Sequence, residues 1–434
     1  MADFKKKKVK KKHGSAKNLI DNNIRFEYTH KKRESNPATK HNVKPERNQS
    51  ELKVIAGNKL KKIRIRYTIV SVILAIVVII AGVSFISPTG IFELTENLVA
   101  KTGFGKEDNL NLSDGHIKNV VSTNNNYIVL TESAVTGFNK HDKKMFYFSH
   151  GMENPIIKRS SARFIVFDQG KTQFYIHNLN RRVYSGNAEN NILSANIARN
   201  GTYAVATTSS GYTSEVKVYD KNGDNIYSWY CSDYYINDVV LSPNGKILAV
   251  SAVSATNGVL NSRIYILKFD SATPVLTLTY DGEYIISLKN NTSKDFYALF
   301  DNKAVFVDWK TLASTVKEFE LNISNTYEYG GRTFFALNRI TDKSDNTVVI
   351  LDKKLVQQAT FNFTGNIVDF RVSGSRIYIL SDKNIYCYDF NGQKIAEGNC
   401  SFGVSFITPL SDKTVAEVDD RKINKITLND IGGE

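Results

Sequence analysis

The sequence predicts an all-β protein. The expected architecture is a β-propeller of eight blades (alternatively seven blades and an added hairpin), preceded by one transmembrane helix and a disordered basic tail. Three observations lead there. The excess of positive charge is confined to the first seventh of the chain, an uncharged apolar stretch follows it, and a repeat of roughly 40 residues fills the remainder.

The tail is residues 1–66. Of 57 Lys+Arg and 43 Asp+Glu in the 434 residues, this segment holds 21 and 6, leaving 36 basic against 37 acidic residues elsewhere. The net charge of +14 therefore describes the tail alone, and a neutral body argues against nucleic acid as a partner. The opening run Lys5–Lys12 and the polar text after it bury too little apolar surface to offset chain entropy, so disorder is expected.

Residues 67–87, Tyr67–Ser87, carry no charge. At 1.5 Å per residue they reach about 30 Å, the thickness of a bilayer core. A cleaved signal peptide has a shorter apolar stretch nearer the N-terminus, and a core helix would include polar positions. Lys59, Lys61, Lys62, Arg64 and Arg66 precede the segment, and Pro88 and Gly90 follow it. The positive-inside rule then predicts a single-pass protein of the cell membrane with a cytoplasmic N-terminus, those five cations touching anionic lipid. Residues 88–113 read as a linker with a possible ring-closing strand, and residues 114–430 as the extracytoplasmic propeller.

Within the propeller, an apolar strand repeatedly closes on Asp or Asn before a polar turn. The closing residues are Asn139, Asn178, Asp220, Asp270, Asp308, Asp352, Asp389 and Asn429, at intervals of 37 to 50 residues. One four-stranded blade needs about 40–45. Ile236–Val250 adds an inner strand, a Pro-Asn-Gly turn and a second strand, and Ile197–Val205 repeats the phrase one blade earlier. Asn-Gly supplies the positive φ of a two-residue hairpin. The last blade has strands near Val404–Pro409, Thr414–Val418 and Lys422–Leu428, so its fourth is expected from Asn109–Leu112, which would close the ring.

The phrases Arg163–Gly170, Asn200–Thr207 and Val216–Asp220, with Trp229, resemble an uncharacterised family of Gram-positive bacterial membrane proteins. Its members have one membrane span and a WD40/quinoprotein-like propeller ectodomain. The resemblance covers roughly residues 67–430 and implies location and fold, but no activity.

No constellation for catalysis stands out, and neither a metal, a cofactor nor an enzyme activity is expected. His13, His30 and His41 lie in the tail, while His116, His141, His150 and His177 are dispersed without zinc-ligand spacing. There is no Gly-x-Ser-x-Gly elbow or Walker lysine. Asp220–Asn225 has oxygens at alternate positions, but its glycine falls early and no glutamate closes it, so it reads as a turn. Cys231, Cys387 and Cys400 are expected as buried thiols. Cys387 should pair with Ala396 across a hairpin, which leaves Cys400 out of disulfide register.

What remains is a surface. In a propeller, the loops between second and third strands share a face with the blade-to-blade connections. Three such loops look long: Thr207–Glu215, Ser251–Arg263 and Arg339–Asn346. The aromatic segment Tyr227–Tyr235 runs between the first two. Tyr212, Tyr234, Tyr235, Asn257, Arg263 and Arg339 are the candidate ligand-binding residues, with Trp229 assigned to the core. The competing reading packs these aromatics between blades. The expected partner is an envelope protein or a cell-wall component held by a non-catalytic scaffold or adaptor. A transmembrane sensor working through the basic tail is the alternative, and a propeller enzyme a third.

Overall fold

The computed structural model describes residues 67–78 and 115–431, except 124, 125, 140, 142, 161, 162 and 421. Residues 67–78 are helical with exposed side chains. Among the described residues no helix is long and apolar enough to cross a membrane. The rest of the predicted span, the tail with its five flanking cations, and the linker with Asn109–Leu112 lie outside the described residues.

From residue 117 onward the chain forms eight antiparallel sheets in sequence order. They are blades 1 (residues 117–149), 2 (155–187), 3 (192–231), 4 (235–281), 5 (287–318), 6 (322–364), 7 (369–399) and 8 (406–427). Each is a meander, and first strands of successive blades neighbour one another at seven of the eight seams. The second strand of blade 2, Arg163–Asp168, is buried at every position because blades press on both its faces. The fourth strand of blade 4, Leu276–Asp281, alternates between half-buried and exposed.

The core is eight apolar clusters, one at every seam between blades. At the closing seam, Val120, Tyr127 and Phe138 of blade 1 pack with Ala416, Val418 and Ile423 of blade 8. Ile117 N–H also donates to Asp420 O at 3.2 Å. Blade 8 shows three strands among the described residues. Asn429–Asp430, expected to close its third strand, instead pairs with the outermost strand of blade 7, Lys394–Asn399.

The sequence repeat has a physical basis. Each closing Asp or Asn from blades 1 to 7 is the last residue of a third strand or lies within two residues of its end. Asp220 Oδ1 accepts the N–H groups of Asn222 and Asp224 at 2.8 and 3.0 Å, closing the turn to the fourth strand. Asp352 and Asp389 do the same, as do Asn139, Asn178 and Asp308. The Asp220 loop is thus a capped turn whose carboxylate serves its own backbone.

Acidic side chains also stitch the inner ring. On the first strand of blade 4, Asp238 Oδ1 accepts Ser194 Oγ–H of blade 3 at 2.7 Å and pairs with Lys158 of blade 2. Its Oδ2 accepts Leu288 N–H of blade 5 at 2.9 Å. Asp369 of blade 7 repeats the device on Ile407 N–H of blade 8 at 2.9 Å.

Two local expectations change. In the Pro-Asn-Gly turn only Gly245 takes a positive φ (66°), and Gly245 N–H donates to Ser242 O, so this is a longer turn than a two-residue hairpin. Cys387 does pair with Ala396. Cys231 and Cys387 are buried, but Cys400 is only half-buried at the blade 7 to blade 8 connection, so the expectation of three buried thiols fails there.

Candidate functional site

A meander places its connections alternately on two faces. First-to-second and third-to-fourth turns form one, the turn face. Second-to-third loops and blade-to-blade connections form the other, the loop face.

The loop face differs in shape from the sequence expectation. Ser251–Arg263 is not a loop but the outer part of a long hairpin, in which Ile247–Thr256 pairs with Val259–Lys268 to its tip. There Asn257 and Gly258 take φ values of 52° and 79°, the pair of positive values that a two-residue turn demands. Blade 6 projects a similar hairpin, with strands Arg332–Arg339 and Asp342–Leu351. Only in blade 3 does a true loop remain, residues 209–213.

Four candidate residues are on the surface. Tyr212 and Tyr235 are 50% and 59% exposed, and Asn257 and Arg339 are exposed at or beside hairpin tips. The Tyr212 ring leans on Tyr230 with centroids 4.8 Å apart. The other two are corrections. Tyr234 is buried in the seam between blades 3 and 4, and Arg263 lies half-buried with its guanidinium 4.4 Å from the Tyr234 ring. Arg263 also donates to Tyr265 Oη at 3.4 Å. This internal cation–π stack seats the blade 3 to blade 4 connection against the hairpin, and the Tyr234 ring is buried rather than exposed. Trp229 is buried, as expected.

Sequence reasoning missed the larger part of the surface. Val259 and Leu260 at the blade 4 tip are exposed, as are Tyr284 and Ile286 on the next connection. Ile340 at the blade 6 tip is 73% exposed and Phe402, between blades 7 and 8, wholly so. Charge separates the faces too. Among described connecting residues, the loop face holds ten Asp and Glu against three Lys, and the turn face ten Lys and Arg against five Asp. The loop face is thus acidic, carries exposed apolar side chains and projects two hairpins.

The family model for DUF5711, a family of unknown function, matches residues 100–428, which take in all eight blades. The chain belongs to that family. Among solved structures it is similar to the C-terminal WD40 domain of Sif2, at 12% identity and a TM-score of 0.51 over 76% of this chain and 100% of that one. It is also similar to apo AztD from Citrobacter koseri (11% identity, TM-score 0.48, 73% and 90% covered). BamB from Moraxella catarrhalis is a further similar structure (13%, 0.46, 71% and 92%). No curated protein sequence matches. At these identities the likeness is one of fold, and for a DUF5711 protein the functional argument rests on its own surface.

Proposed function

We propose that this DUF5711 protein is a non-catalytic scaffold or adaptor whose loop face docks a protein of the cell envelope. In this reading Tyr67–Ser87 anchors it in the cell membrane with the propeller outside. Lys59, Lys61, Lys62, Arg64 and Arg66 meet anionic lipid on the cytoplasmic side. The anchor is supported by the uncharged length of that segment and its basic flank.

The docking role is carried by one observation. Exposed large apolar side chains gather on the loop face, at Tyr212, Tyr235, Val259, Leu260, Ile340 and Phe402. Such side chains gain free energy only when a partner covers them. In-cell cross-linking of the full chain, followed by mass spectrometry, tests this against a variant with Val259, Leu260, Ile340 and Phe402 all changed to Ser. Defined envelope proteins should be captured by the parent and lost from the variant. Equal capture by both, with both folded, overturns the reading.

A further inference from the structure

We propose that the turn face of blades 3 to 6 is a second binding site, for a linear phosphate polyanion. Two concavities of about 930 and 540 Å³ lie side by side there, sharing Ser293, Lys294 and Asp308. Arg199, Lys294 and Lys310 line the larger, and Lys294, Lys353 and Lys354 the smaller. All five cations are exposed, and among the described residues none forms an ion pair. Elsewhere on this protein, exposed lysines such as Lys171, Lys394 and Lys413 do find carboxylates.

The carboxylates at the site are already engaged. Asp308 accepts the N–H groups of Lys310 and Thr311 at 2.9 and 2.7 Å, and Asp295 accepts Asn291 Nδ2 at 2.9 Å and the Thr292 hydroxyl. Each is tied into its own turn and keeps its charge, so the two concavities hold five cations against two carboxylates, with Lys294 electrostatically coupled to Asp308 and Lys354 to Asp352. Leu312 and Leu355 take left-handed φ values of 61° and 62° in the two turns beside the concavities. Such values are sparsely populated for leucine, and here Leu312 packs against the seam between blades 4 and 5 and Leu355 against that between blades 5 and 6. The flanking lysines Lys310, Lys353 and Lys354 stand on the same turns.

The chemistry of the occupant follows from this arrangement. Cations spread over blades 3, 5 and 6 fit a chain of repeated negative charges better than a single anion. Trp309, which lines the larger concavity, is buried against Phe296 with rings 4.4 Å apart, so it offers no stacking platform. Recognition falls on the charged backbone of the polymer. This site is on the opposite face from the docking surface, so either can fail alone.

Hydrogen exchange on the full chain, with inorganic polyphosphate as the probe, separates this site from the basic tail. The expected result is protection of residues 292–295, 309–313 and 352–356, with the hairpin tips unchanged. Lys294→Gln, Lys310→Gln, Lys353→Gln and Lys354→Gln combined should weaken that protection at least tenfold in polyphosphate concentration while leaving thermal unfolding unchanged. Protection confined to residues 1–66 overturns the proposal. So does the same protection from orthophosphate, or from phosphatidylglycerol vesicles in place of polyphosphate.

Discussion

The two faces of this propeller are made from one meander yet share almost nothing in character. On the turn face most third-to-fourth connections are capped by their own Asp or Asn, and the connections are rich in Lys and Arg. On the loop face two hairpins extend outward, and connections carry carboxylates and exposed apolar groups. The difference teaches where a repeat fold has freedom. A turn closed by an Asx hydrogen bond has its backbone fixed, so only outward charge varies. A connection between strands or blades can lengthen without disturbing the seams, and new surface accumulates there.

That contrast assumes one frame beneath both faces, and Asp238 tests it most severely. Its carboxylate joins blades 2, 3, 4 and 5, and its side chain is 11% exposed. Asp238→Ala leaves the Lys158 ammonium half-buried and the Leu288 N–H unpaired. The expected cost is about 3–5 kcal/mol, read as a lowered urea midpoint at unchanged slope. Hydrogen exchange should quicken on both faces together. Loosening of one face alone would mean that the two halves of each blade are not a single cooperative unit.

A second test uses pH. His177 is buried between Phe148 and Phe164, and burial, with smaller effects of the neighbouring Arg182 and His150, pushes its pKa down to about 3. An unfolded histidine titrates near 6.5, so folding favours the neutral ring. The stability this contributes is complete above about pH 6.5 and is lost as pH falls toward 3, at about 1.4 kcal/mol per pH unit for one proton. His177→Phe should flatten that part of the pH–stability profile while leaving the neutral end within about 1.5 kcal/mol of the parent. An unchanged acid slope would assign the sensitivity elsewhere. The seam between blades 1 and 2 carries this effect, so each face should respond through the frame.

How much of this the sequence disclosed divides along the same line. The turn face was legible because Asp220, Asp308, Asp352 and Asp389 must recur wherever a third strand ends, and a recurring residue can be counted. The Cys387–Ala396 register followed from turn position alone. The loop face was not legible. Ser251–Arg263 reads as a loop because Ser, Asn and Thr favour turns, yet ten residue pairs extend the ladder to Thr256 and Val259. Tyr234 looked exposed because it sits in a connection. Its burial depends on Arg263, which reaches it from the third strand of the next blade, a contact that no local pattern reports. Phe402 gave no signal either, since one aromatic residue between Ser401 and Gly403 fits a core or a surface equally.

A milder perturbation sharpens the account of the turn face. Gly392 has a φ of 82°, and a Cβ there would lie 2.4 Å from the Phe361 side chain of the neighbouring blade. Gly392→Ala meets both the left-handed penalty and this contact, for an expected loss of about 1–3 kcal/mol in chemical unfolding. Asp389→Ala, which removes the two turn N–H bonds and an exposed bond from Asn391 Nδ2, should cost about 1 kcal/mol. If the order reverses, the Asx bond rather than the backbone conformation sets the turn.

The smallest effect on stability should come from Phe402→Ser, and for that reason it separates the faces most cleanly. Phe402 is fully exposed, so its removal takes nothing from the folded core, and the unfolding midpoint should stay within about 0.5 kcal/mol of the parent. A partner that covers the ring would gain about 1.5–3 kcal/mol, which corresponds to roughly tenfold or more in affinity. Titrating a cross-linked partner of the loop face against parent and variant reads that difference directly. Polyphosphate protection on the turn face should be identical in the two proteins. A loss of both activities with the midpoint unchanged would mean that the faces communicate, and the division of labour between them would have to be abandoned.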